Sequence, residues 1–127
     1  MSNPFGKLIG LHIEQRRAGF SELSLEVAGE HLNPNHVVHG AVVFALADTG
    51  MGAALHPTLA EGELCATVEI KISYFKPVTA GRLVCTTEIV NRGKTLANLE
   101  SRVFLDEVLV AQANGHYAIF RPRKPAA

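Results

Sequence analysis

Four residues in the first half of the chain have the types and spacing to act on a carbonyl group. Asn33, His39, Gly40 and Asp48 all fall in the stretch HLNPNHVVHGAVVFALADTGMGAALH, residues 31–56. Asp48 is the single charge between Gly40 and Leu55, and its neighbours, ALADTGMGAAL, are apolar enough to predict burial. A buried, unpaired carboxylate costs several kcal/mol or shifts its pKa. Chains keep such groups chiefly for function. His39-Gly40 stands where a helix should begin, and the first amides of a helix lack internal acceptors and carry partial positive charge. A glycine there either eases the turn into the helix or lets a ligand come close to the backbone, which is the recipe for polarising a carbonyl or holding an oxyanion. Asn33 can donate an amide hydrogen bond into the same region, although a residue before Pro34 is also an ordinary turn former. His31, His36 and His39 cluster without a Cys or an HExxH pattern, so no metal site is expected.

These residues need a helix to place them. The apolar segment from His39 or Gly40 to Leu55 has no proline and predicts a helix of roughly 16 residues, about 24 Å long. That is short of the ~20 apolar residues that cross a bilayer. A helix apolar nearly all round should be enclosed by protein. Gly40 and Asp48, eight residues apart, would lie about 12 Å apart on it. Reacting groups must sit within about 3.5 Å, so one carbonyl cannot meet both residues of the same helix. Two copies related by a two-fold axis can bring the start of one helix to Asp48 of the other. The spacing therefore predicts an obligate dimer with two equivalent interface sites.

The remaining elements follow from pattern and turn chemistry. Asn3-Pro4 is a helix start, with Phe5, Leu8 and Ile9 as its apolar face and Gly10 as its stop. Leu11 to Gln15 reads as a short strand and Phe20 to Ala28 as a half-buried one. Leu64 to Phe75 alternates, with Ala66, Val68, Ile70, Ile72 and Tyr74 on one face and Cys65, Thr67, Glu69, Lys71 and Ser73 on the other. Arg82–Val90, Thr95–Leu105 and Val108–Phe120 complete the strands, with Asp106-Glu107 as a two-residue hairpin turn. Short connections predict antiparallel neighbours. If the strand from Leu64 pairs with the strand from Arg82, Cys65 falls opposite residue 92 and Cys85 opposite residue 72, too far apart for a disulfide. The expected architecture is α+β: a curved antiparallel sheet wrapped around one long helix, with edges that need cover.

Composition sets outer limits. The 127 residues suit one domain, 1–127, with a basic tail at 121–127 expected to fray. Twelve Lys and Arg balance twelve Asp and Glu, which gives no pointer to nucleic acid or an anionic membrane. Near-zero charge also offers little protection against self-association. The opening MSNPFGKLIG lacks the basic start and apolar run of a secretory signal. With two unpaired cysteines, a reducing cytoplasm is the expected location.

With these residues in view, HLNPNHVVHGAVVFALAD resembles the hotdog-fold acyl-CoA thioesterases of the PaaI type, associated with phenylacetate degradation. Those carry an Asn, then HGG, then an acidic residue eight positions after the first Gly; here Asn33, His39-Gly40 and Asp48 match. The strand ATVEIKISYFKP, with Tyr74 to Pro77, is similar to the family's YxxP-like signature, and NRGKTLANLESRVF to its following hairpin. The resemblance runs from Phe5 to Phe120. It implies the hotdog fold, dimers that commonly pair into homotetramers, and hydrolysis of a small acyl-CoA, aryl-acetyl or medium-chain. The Gly40 amide would polarise the thioester carbonyl, assisted by Asn33. The partner's Asp48 would be general base or nucleophile, and Thr67 would help place the water. His39 and Ala41 would border the substrate. Ala41 replaces the second Gly of HGG, and its methyl would narrow the pocket or alter acyl preference. Arg92 and Lys94, with Arg121, Arg123 and Lys124, are candidates to meet the CoA phosphates. No cofactor is implied, since CoA belongs to the substrate.

Two rivals follow from the same pattern. A hotdog hydratase or dehydratase would need an Asp/His or Glu/His pair, and no His follows Asp48 at an evident pairing distance. A non-catalytic acyl-CoA-binding module would have no use for Asp48 and Thr67 together.

Overall fold

The computed structural model describes residues 3–123; Lys124 and the rest of the tail expected to fray lie outside them. Asn3 caps α1 (Pro4–Ile9) by accepting from Gly6 N–H at 3.0 Å, and Gly10 ends it. Strands β1 (Leu11–Arg17) and β2 (Phe20–Glu26) form a hairpin, and α2 (Gly40–Leu55) follows. Then come β3 (Leu64–Tyr74), β4 (Arg82–Arg92), β5 (Leu96–Leu105) and β6 (Val108–Phe120). All pairings are antiparallel, in the order β1-β2-β4-β5-β6-β3. This is the α+β curled sheet around one long helix that the pattern predicted.

The expected β3–β4 pairing is corrected. β3 lies at one edge against β6, and β4 lies in the interior between β2 and β5. Cys65 faces Ile119, and Cys85 faces Leu23 and Val103. The physical reason is the connection at residues 75–81, which is too long for a tight hairpin and contains Pro77. It crosses the end of the sheet, tied by Phe75 N–H to Val110 O at 2.8 Å and by Val38 N–H to Val78 O at 2.8 Å.

Helix α2 buries Val43, Leu46, Ala47, Gly50, Met51, Ala54 and Leu55, the i, i+3, i+4 stripe of one helical face. Those residues meet Leu23, Leu25, Leu83 and Val103 toward the start of the helix, and Leu99, Ala113, Tyr117 and Ile119 toward its end. Buried hydroxyls add direction to this packing. Ser21 Oγ donates to Gly50 O at 2.7 Å and Ser101 Oγ to Ala47 O at 3.0 Å, with Thr87 Oγ1 2.7 Å from Ser101 Oγ. Gly50 is required by this close approach, since a Cβ there would stand 2.5 Å from Thr87 Oγ1. Fixed bonds to successive carbonyls set the rotation of the helix as apolar contact alone does not.

The opposite stripe of α2, through Asp48, Thr49, Gly52 and Ala53, stays half-exposed in the gap between edge strands β1 and β3. The expectation that one chain encloses the helix is thus corrected: six strands cover one face and leave open the face that carries Asp48.

Candidate active site at the open face of the central helix

Asp48 is half-buried rather than buried. Two hydroxyls hold its carboxylate. Thr67 Oγ1 donates to Oδ1 at 2.9 Å, and the Tyr117 hydroxyl also contacts Oδ1 while lying 2.8 Å from the Asp48 main-chain oxygen. With Oδ1 occupied, Oδ2 remains as the oxygen able to take a proton or attack. Tyr117 is only 4% exposed. Burial, and then its hydrogen bond to Asp48, push its phenol pKa far above the ordinary range, so it stays a neutral donor at physiological pH.

Thr67 reaches Asp48 through a break in the alternation of β3. The ladder to β6 steps from Thr67↔Tyr117 to Glu69↔His116, so Val68 is an extra residue. This β-bulge reverses the facing of the strand. Cys65 and Thr67 before it share the inner face with Ile70, Ile72 and Tyr74 after it. The uniform alternation read from the sequence, with Thr67 on the face opposite Ile70, is corrected accordingly.

His39, Gly40 and Ala41 form the other end of α2, and Asn33 lies in the turn that leads into it. His39 caps the helix, its Nδ1 accepting the Ala41 N–H at 2.9 Å, and Val42 N–H donates to His39 O at 2.9 Å. Nδ1 must be unprotonated to accept, which leaves Nε2–H as a donor. Gly40 is the first helical residue, so its own N–H has no intrahelical acceptor. Tyr74 donates to Gly40 O at 2.7 Å, and a Cβ on Gly40 would lie 3.1 Å from that hydroxyl. Glycine therefore lets the Tyr74 ring close over the helix start. Asn33 Oδ1 accepts from Asn35 N–H at 2.9 Å and Val37 N–H at 3.3 Å, an Asx-type turn that leaves its amide nitrogen as the group able to donate. Ala41 is exposed beside them. His31 is buried, with Nδ1 accepting from Ala28 N–H at 2.9 Å and Nε2 2.6 Å from Ile9 O.

One uninterrupted helix joins the two groups, so the separation of about 12 Å stands. The chain brings Asp48 to Thr67 and sets Gly40 beside His39, with Asn33 opposite Val37 in the turn before them, but does not bring Gly40 to Asp48. Arg92 is engaged elsewhere. Nε and Nη2 donate to Thr58 at 3.0 and 3.1 Å, Nη1 to Gly93 O at 2.5 Å, and Glu63 lies 3.6 Å away. Lys94 in the same turn is exposed. Arg121 donates to Glu61 O, also at 2.5 Å, and Arg123 is exposed.

Two residues at these sites escaped the sequence reading. Tyr117 sits in the apolar-looking run HYAIF and gains meaning only once its register opposite Thr67 is known. Lys76 lines a cleft of about 360 Å³ at the helix start, with Gly40, Val43, Tyr74, Phe75 and Val78. It is a cation beside a signature already noted, and its neighbour Pro77 marked the spot.

The family model of the thioesterase superfamily matches residues 35–112. A provisionally named esterase of Archaeoglobus fulgidus is 32% identical over 92 residues, 72% of this chain and 58% of that protein's own length. The acyl-coenzyme A thioesterase PaaI of Escherichia coli K12 is 28% identical over 116 residues, 91% of this chain and 76% of its own. A variant of the phenylacetic acid degradation protein PaaI from Thermus thermophilus superposes with a TM-score of 0.86 at 26% identity, over 94% of this chain and 100% of that one. Matched over more than half its length by the family model, and folded as a six-stranded sheet around one helix, the chain belongs to the thioesterase superfamily, the hotdog-fold thioester hydrolases.

Proposed function

We propose that this protein hydrolyses a small acyl-CoA thioester, aryl-acetyl or medium-chain, as a homodimer that pairs further into a tetramer. The observation that carries the reading is the carboxylate of Asp48, held by Thr67 and Tyr117 on a face its own chain leaves open. A partner laid across that face along a two-fold axis presents its helix start to this carboxylate. The long edge strand β3 supports such pairing. It runs for 11 residues beside Asp48 and exposes Val68 and Tyr74, with Phe75 just beyond its end. An apolar edge of that kind calls for cover.

In the reaction, Asp48 Oδ2 takes a proton from water as the water oxygen attacks the thioester carbon. The carbonyl oxygen becomes an oxyanion held by the Gly40 N–H of the other chain and the Asn33 amide. The C–S bond then breaks, and the CoA thiolate leaves with the proton Asp48 held. Thr67 can accept a hydrogen bond from the water while donating to Oδ1. His39 Nε2–H and Ala41 border the substrate, while the exposed cations Lys76, Lys94 and Arg123 meet the CoA phosphates. The chemistry uses water and side chains, with CoA entering as part of the substrate. A cytoplasmic setting suits that substrate; among the described residues no helix is long and apolar enough to cross a membrane.

The test is a panel of acyl-CoAs read by release of free thiol. Asp48→Asn should lower kcat about a thousandfold with the melting transition retained. Undiminished thiol release in that variant would remove Asp48 from the chemistry.

A further inference from the structure

A second cavity, of about 290 Å³, lies against the open stripe of α2. Thr49, Gly52 and Ala53 of the helix line it with Ile13 of β1 and Cys65 of β3, and the polar residues Asn3, Arg16 and His56 complete its lining. Its lining neighbours the carboxylate in both elements. Gly52 is one helical turn past Asp48, and Cys65 precedes Thr67 on the same inner face of β3. Arg16 Nη2 lies 3.0 Å from His56 Nδ1, so the two form a polar pair. From Asp48 to His56 the helix rises about 12 Å.

We propose that this groove receives the acyl group of the substrate, and that Gly52 and the Arg16–His56 pair set the length it accepts. The inference rests on the proposed hydrolysis and adds the direction in which the thioester lies. A thioester held between Gly40 of one chain and Asp48 of the other has two arms, and a cavity lies toward each end of the site. The helix-start cleft carries Lys76, a cation suited to the phosphate-bearing CoA arm. The groove beyond Asp48 is floored by small and apolar groups, and its one cation is directed at His56. An apolar acyl chain of medium length, or an aryl-terminated one, fills it; a longer chain drives its end into the guanidinium and imidazole, which costs desolvation.

Gly52 makes the test clean, because a Cβ built there meets nothing within 4 Å. A side chain at this position enters the groove without displacing the core. The measurement is kcat/KM for straight-chain acyl-CoAs from acetyl to dodecanoyl, with solution mass and melting temperature for each variant. Gly52→Leu should lower the octanoyl-to-acetyl ratio at least about tenfold. Arg16→Ala should raise the dodecanoyl-to-octanoyl ratio. An unchanged length profile in both variants would overturn the inference.

A second readout covers a Gly52 variant that fails to fold. Cys65 is half-buried in the groove wall and Cys85 is fully buried, so alkylation reports on Cys65. In Asp48→Asn, octanoyl-CoA should slow that alkylation severalfold more than acetyl-CoA does; equal protection would overturn the inference. If the unsubstituted protein released no thiol from any acyl-CoA, the hydrolase reading would fall and this inference with it. Release with an unaltered length profile would overturn the inference alone.

Discussion

Tyr117 does more for Asp48 than fill core volume. Its hydroxyl reaches both the main-chain oxygen and Oδ1 of the same residue, fixing backbone and carboxylate together. Removing that hydroxyl in Tyr117→Phe should lower kcat about tenfold, the size of one hydrogen bond to a charged group, with KM little changed. Stability should respond at high pH. The folded phenol pKa is raised above its ordinary value of about 10, so the stability tied to its neutral form is fully present below that pH. It is lost as pH climbs toward the raised folded value. Thermal melts above pH ~10 should therefore fall less steeply in Tyr117→Phe than in the unsubstituted protein. Asp48 stood out in the sequence as the lone charge in ALADTGMGAAL. Tyr117 did not, because its role depends on a cross-strand partner fifty residues away in the chain.

At the scale of elements, the turn at Asp106-Glu107 is a two-residue hairpin in which both residues have positive φ, 49° and 66°. Neither is glycine, and Glu pays a steric cost in that region. Replacing the pair by Asn-Gly should stabilise the protein by about 1 kcal/mol, seen as a melting temperature higher by about 3 °C. No change in melting temperature would contradict the strain assigned to the turn. The bounds of α2 were legible because His39-Gly40 and His56-Pro57 punctuate a proline-free apolar run. The strands were legible as segments, but two features of β3 were not. Its bulge at Val68 leaves no mark in an alternating run of β-formers. Its partner is β6, because pairing is decided by the whole sheet rather than by nearness in sequence.

For the molecule as a whole, one geometric fact organises the function. The two ends of the chemistry share a helix and are held about 12 Å apart by it. The helix cannot bend to join them: Ser21, Ser101 and Tyr117 bind its carbonyls to the sheet. On the proposed mechanism a site containing both groups draws on two chains, and the open face of α2 beside the edge strand β3 is the proposed seat of the second. The separation was legible from the spacing of Gly40 and Asp48 alone. The open face was not, since Thr49, Gly52 and Ala53 look as buriable as their neighbours and only the span of the sheet leaves them uncovered. Complementation between two inactive variants tests the requirement most directly. Asp48→Asn removes the carboxylate. Gly40→Pro removes the amide donor at a first-turn position that tolerates proline, with Tyr74 yielding a few tenths of an ångström. Refolded together in equal amounts, the two should form hybrid dimers in which one of the two sites is whole. Thioester hydrolysis should then return to about a quarter of that of the unsubstituted protein. A mixture no more active than the two variants assayed apart would contradict a site shared between chains.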